Sequence, residues 1–159
     1  CIALECRDGA PFHHIHGAGR DYRAVLDALQ GSGLANHPEV DVREYIYDMP
    51  LVMAAADLVL CRAGASTIAE IAAIAKPAVL VPSPNVTANH QEKNARVLAD
   101  QGAARLLLEK DCVGDTLFTT AESLLRDKTR REGMVQALKN MAVPDAGEKI
   151  YETLMEIVK

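Results

Sequence analysis

The sequence predicts an α/β fold, a Rossmann-like parallel sheet with helices on both faces. Three observations predict it. Leu58-Val59-Leu60-Cys61 and Ala78-Val79-Leu80-Val81 are continuous apolar runs bounded by turn signals, the pattern of strands covered on both faces of a parallel sheet. Such runs alternate with stretches whose apolar residues recur at helical spacing. Glycine and polar residues gather at the strand-to-helix turns, which lie at the carboxyl edge where open parallel sheets bind ligands.

In chain order, Cys1 to Cys6 reads as the tail of a helix, and Gly9-Ala10-Pro11 breaks the chain. Phe12 to His16 follows as a short strand, turned by Gly17-Ala18-Gly19. Tyr22, Val25, Leu26 and Leu29 place a helix over Asp21 to Gln30, stopped by Gly31-Ser32-Gly33. Val40 to Tyr47 alternates with one slip near Glu44, as an edge-ward strand would, and Met49 to Ala56 is a short helix with Pro50 in its first turn. Ala104 to Leu108 reads as a last strand. Further helices are expected over 65–75, 90–100, 115–126, 128–141 and 146–158.

The chain has 159 residues, enough for one domain with a full core. Its formal charge of −5 leaves no electrostatic footprint for nucleic acid. No apolar run reaches the ~18 residues of a membrane helix, and no signal peptide is visible. The four cysteines are scattered, with Cys61 closing an apolar strand, so a buried free thiol and a reducing, cytoplasmic setting are expected.

The candidate site is built from several clusters. In Arg62-Ala63-Gly64-Ala65-Ser66-Thr67, Gly64 allows a sharp turn and close approach of a ligand to the backbone. The N–H groups of Ala65, Ser66 and Thr67 at the new helix start suit a phosphate or diphosphate. Thr67-x-x-Glu70 also matches a capping box. Glu70 therefore has two readings, a cap or an acceptor for paired ribose hydroxyls. Asn89-x-x-Glu92 looks like a second N-cap, and leaves His90, Gln91 and Asn94 without a structural role. Gln91 and Asn94 share a helix face, and amides match sugar hydroxyls because they donate and accept.

The turn ending in Gly19 is another place for backbone N–H groups to meet a ligand. At Tyr45-Ile46-Tyr47-Asp48-Met49, the Ile46 backbone is placed to pair with a base edge while Met49 packs on its face. His14 and His16 share a strand face, with no third ligand to complete a metal set. No metal and no cofactor are expected. No nucleophile–base pair or acid–base carboxylate pair emerges, so the chain reads as a binding half with no catalytic residue of its own.

The run A-D-L-V-L-C-R-A-G-A-S-T-I-A-E-I, followed by V-P-S-P-N-V-T-A-N-H-Q-E-K-N-A, resembles the carboxyl-terminal domain of the MurG family. These are the N-acetylglucosaminyltransferases of peptidoglycan synthesis. The resemblance extends from I-H-G-A-G through Y-I-Y-D-M-P to the P-D-A near Pro144. It implies the C-terminal half of a GT-B glycosyltransferase, holding UDP-GlcNAc as donor. By that resemblance Glu70 binds the ribose, Ala65, Ser66 and Thr67 line the diphosphate, Ile46 meets the uracil, and His90 and Gln91 reach the GlcNAc hydroxyls. Ala18 stands where members often have Ser or Thr, and His90 where some have Gln.

The resemblance further implies that residues 1–159 are one amino-terminally truncated donor domain. The acceptor domain, with the presumed base and the surface for the lipid-linked muramyl-pentapeptide, would then lie outside the chain. Peripheral attachment to the cytoplasmic face of the membrane would come only through that half. A stand-alone nucleotide-sugar-binding subunit needing a separate membrane-anchored partner is the alternative. A related UDP-GlcNAc epimerase fits less well, for want of catalytic carboxylates.

Overall fold

A computed structural model describes residues 2–6 and 12–158. The expected break at Gly9-Ala10-Pro11 lies outside the described residues. The helical tail at the start is present as α1 (Ile2–Glu5), followed by β1 (His14–Gly17), α2 (Tyr22–Gly31), β2 (Val40–Arg43) and α3 (Met49–Ala55). Then come β3 (Val59–Cys61), α4 (Ala65–Ile74), β4 (Ala78–Leu80), α5 (His90–Asp100) and β5 (Arg105–Leu106). Three consecutive helices close the chain: α6 (Gly114–Arg126), α7 (Lys128–Met141) and α8 (Ala146–Ile157).

All strand pairs are parallel, as the α crossovers require. The hydrogen bonding falls into two ladders, β1 with β2 and β3-β4-β5. β4 is the central strand of the larger ladder, and its alternation shows how both faces are covered. Ala78 and Leu80 join a cluster with Ile71 of α4, Leu98 of α5 and Leu138 of α7. Val79, pointing the other way, packs with Leu107, Leu124 of α6 and Met134 of α7. All three β4 residues are fully buried, which is the arrangement its unbroken apolar run predicts.

β3 departs from that expectation. Leu60 is 39% exposed and its two strand neighbours are only half-buried. The apolar run is the same, but among the described residues β3 has a hydrogen-bonded neighbour on one side only, β4. The strand expected over Val40 to Tyr47 ends at Arg43, just before the slip at Glu44, so Tyr45 and Tyr47 lie in the connection and are exposed. Gly31 belongs to α2, and the stop comes from Ser32 and Gly33. The Ser32 hydroxyl donates to the Ala28 and Leu29 carbonyls, and Gly33 takes φ +74°. α8 has no buried residue, and Ile150, Tyr151, Leu154 and Ile157 are all exposed.

Candidate functional site

β3 ends at Cys61, and four residues later the chain is helical. The first hydrogen bond of α4 runs from the Ile68 N–H to the Gly64 carbonyl at 3.0 Å. The N–H groups of Ala65, Ser66 and Thr67 therefore have no acceptor within the helix, and no side chain caps them. With the helix dipole they form an open, positively polarised end at the carboxyl edge of the sheet. Gly64 itself sits at φ −67°, ψ 149°, and a Cβ there would meet only Thr67 Oγ1 at 3.7 Å. The turn needs no left-handed residue, so the absent side chain serves access and not bending.

The capping-box reading of Thr67 and Glu70 is not what the fold adopts. A box needs Thr67 at the N-cap, and that position is Gly64. The strand end and glycine start the helix three residues earlier, so Glu70 falls on the second turn. Its carboxylate is exposed and has no hydrogen-bond or ion-pair partner among the described residues. Nearby, burial pushes the Cys61 thiol up to about 11, and the Glu70 charge adds to that rise. Cys61 is thus a protonated, half-buried free thiol, as expected.

The second loop faces the first. Gln91 Oε1 accepts from the Ser83 N–H at 2.9 Å, and Asn94 Nδ2 donates to the Ala63 carbonyl at 3.4 Å. These contacts bring Gln91 and Asn94 of α5 against the loops that follow β4 and β3. Asn89 does occupy the N-cap, yet its amide donates to the Glu92 carboxylate at 2.7 Å and caps no backbone group. That bond and those from Arg96 hold the Glu92 carboxyl below the usual range. His90 Nδ1 lies 2.9 Å from the Thr87 carbonyl, which can only accept, so Nδ1 donates there and Nε2 is left for another partner.

This loop contains the left-handed pair Ala88 and Asn89, at φ 54° and 52°. Asparagine tolerates that region, but alanine is strained there by about 1–2 kcal/mol. Ala88 is exposed, so glycine sacrifices no packing. The extra freedom of an unfolded glycine costs about 0.4–1 kcal/mol. Ala88→Gly is therefore expected to raise stability by roughly 0.5–1 kcal/mol, measured by urea denaturation.

Arg62 is the residue that sequence reasoning missed. Its guanidinium pairs with the Glu109 carboxylate and donates to the Val81 carbonyl at 3.2 Å. One side chain thus joins the loops after β3, β4 and β5. An arginine directly after an apolar strand is the available signal. The hydrogen bond from Arg62 holds the Glu109 carboxyl below its ordinary range. A depressed carboxylate contributes at pH above its unfolded value and stops contributing as pH falls through the folded one. In Arg62→Ala, NMR titration should show the Glu109 pKa moving back up.

The remaining candidates sit at the β1 and β2 ends. Ile46 is buried, its Cδ1 3.2 Å from where a Cβ on Gly17 would lie, so any larger residue at 17 would displace it. The Ile46 N–H meets no acceptor among the described residues. Met49 opens α3 and is 42% exposed. The Gly19 turn differs from expectation. The N–H groups of Ala18 and Gly19 donate to the Arg43 and Glu44 carbonyls at 2.9 Å, so they are spent on continuing the β1–β2 ladder. What Gly19 supplies is φ +55°. His14 and His16 do share a face, with ring centroids 5.8 Å apart. No group of three or more metal-ligating side chains occurs among the described residues.

Residues 3–150 match the sequence profile of the glycosyltransferase family 28 C-terminal domain. The chain belongs to that family.

Two relatives of this family 28 domain are each named as a UDP-N-acetylglucosamine–N-acetylmuramyl-(pentapeptide) pyrophosphoryl-undecaprenol N-acetylglucosamine transferase. The transferase 1 of Bacillus cereus strain ATCC 14579 is 45% identical over 138 residues, which is 87% of this chain and 37% of that protein. The Acetivibrio thermocellus enzyme is 41% identical over 149 residues, 93% of this chain and 40% of that protein. The chain thus spans about two-fifths of the length of these curated relatives. The crystal structure of Acinetobacter baumannii MurG superposes with a TM-score of 0.81 at 28% identity, over 98% of this chain and 46% of that one. The likeness supports the expected architecture, the C-terminal half of a GT-B fold.

In the family 28 domain no described helix is long and apolar enough to cross a membrane. A cavity of about 530 Å³ lies away from the Ala65–Glu70 segment, beside the beginning of β5. The candidate donor surface is open, a shelf of helix start and loops.

Proposed function

We propose that this chain is the donor-binding half of a hexosyltransferase that moves GlcNAc from UDP-GlcNAc to a lipid-linked muramyl-pentapeptide. The observation that carries the reading is the pairing of three unpartnered N–H groups, on Ala65, Ser66 and Thr67, with an exposed, unbonded carboxylate on Glu70. The first feature suits a diphosphate and the second a ribose diol. Ile46 offers a free N–H to the uracil edge, with Met49 beside it and Gly19 shaping the neighbouring turn. The Nε2 amide of Gln91, Nε2 of His90 and the Asn94 amide are the polar groups left for the sugar hydroxyls.

No general base stands among these groups, and the reaction needs none from them. The domain fixes the donor, so that its anomeric carbon faces an acceptor held by the remainder of the longer enzyme. Opposite-face attack there inverts the anomeric centre. The diphosphate leaves with its developing charge on the α4 N-terminus. That remainder also supplies attachment to the cytoplasmic face of the membrane.

Calorimetric titration with UDP-GlcNAc, UDP-glucose and UDP tests the reading. Binding in the order UDP-GlcNAc, UDP-glucose, UDP is expected, with Gln91→Ala bringing both sugar nucleotides closer to UDP. Absence of UDP binding, or transfer of GlcNAc by this chain alone, would overturn it.

A further inference from the structure

A second polar site stands at the opposite edge of the larger sheet. Arg105 opens β5, and Gly102 and Ala104 lead into it, so this edge is the amino-terminal one. A cavity of about 530 Å³ lies there between the end of α5, β5 and α7. A smaller one of about 190 Å³ adjoins it against α6, and Arg105 and Arg130 line both. Arg43, Arg62, Arg96 and Arg126 each pair with a carboxylate, and Arg131 donates to the Leu124 and Leu125 carbonyls. Arg105 and Arg130 have no such partner among the described residues.

Two further features make this a receptive cavity. Thr119 and Thr120 of α6 line the smaller cavity together with both arginines. Gly133 lies in the interior of α7, where glycine costs about 1 kcal/mol against alanine. A Cβ there would meet nothing within 4 Å. The floor beneath is apolar, formed by Ala104 and Met134, both buried.

We propose that this cavity binds a phosphate-bearing ligand, its charge held in the fork of Arg105 and Arg130 and its organic part resting on the apolar floor. Planar guanidiniums donate two parallel hydrogen bonds to phosphate oxygens, and two of them suit a diester or a diphosphate. A soluble organic phosphate and a lipid headgroup present the same chemistry. In either case the site is distinct from the donor shelf and independent of its assignment.

The test follows the backbone amides of Gly102 and Gly133 by NMR while pyrophosphate is added, both with and without UDP present. Shifts at both amides are expected. Affinity should fall at least roughly tenfold in Arg105→Gln and Arg130→Gln, the scale of one charge-assisted hydrogen bond. Gly133→Leu, which fills the space while favouring the helix, should abolish the shifts and leave UDP affinity unchanged. Co-sedimentation with phosphatidylglycerol vesicles, absent with phosphatidylcholine and lost in the arginine variants, would assign the ligand to a lipid. Pyrophosphate binding without sedimentation would assign it to a soluble phosphate. The proposal is overturned if neither probe binds, or if both bind the double arginine variant as well as the parent.

Discussion

Glu70→Ala should weaken UDP and UDP-GlcNAc alike by about 1–3 kcal/mol, roughly 5- to 150-fold, while leaving the thermal transition where it was. The two halves of this expectation have separate origins. Loss of affinity follows if the carboxylate accepts from both ribose hydroxyls, because those hydroxyls would face an apolar gap in the variant. Unchanged stability follows from the fold itself, since Glu70 is exposed on the second turn of α4 and caps nothing. Calorimetry on parent and variant, paired with thermal melts, reads both. A drop in melting temperature with unaltered UDP affinity would restore the capping role and remove the ribose assignment.

The next residue behaves in the opposite way. Ile71→Ala should cost about 2–5 kcal/mol of stability, a large part of the roughly 5–15 kcal/mol that holds such a domain together. Ile71 is fully buried, among Leu80 of β4, Leu98 of α5 and Leu138 of α7. Those neighbours belong to elements fixed by other contacts and cannot collapse into the space left behind. Urea denaturation should show an earlier midpoint with an unaltered slope. Below the transition, UDP affinity per folded molecule should be nearly that of the parent. Adjacent positions on one helix thus separate binding from folding.

The predicted helices of the second half correspond to α4 through α8 within a residue or so, because their apolar spacing and the buried core agree. β4 was equally legible, since a run such as Ala78-Val79-Leu80 has no other stable home. Less legible were features set by neighbours. Leu60 has the composition of a central strand, but how far it is covered depends on what lies beyond β3. The reading of Thr67 and Glu70 as a cap failed because Ser/Thr-x-x-Glu spacing marks a helix start only when the preceding backbone stops there, and here it stopped at Gly64. The turn ending in Gly19 reads as a place for backbone N–H groups to meet a ligand; the continuation of pairing past β1 is invisible without knowing where β2 runs. Arg62 escaped notice for a related reason, as its partners Val81 and Glu109 follow two other strands.

The bond between Gln91 and the Ser83 N–H bears on how substitutions at this shelf are interpreted. The amide is divided: its oxygen is committed to protein, and only its NH2 faces outward. Alanine at 91 therefore releases a loop as well as removing a donor, and an apparent loss of sugar affinity would mix the two. Glutamate separates them. It keeps an oxygen for Ser83 and replaces the outward NH2 with an acceptor. If Gln91→Glu loses the sugar's contribution to binding as fully as Gln91→Ala, recognition resides in the NH2 group; if it binds like the parent, the loop anchor sets the affinity.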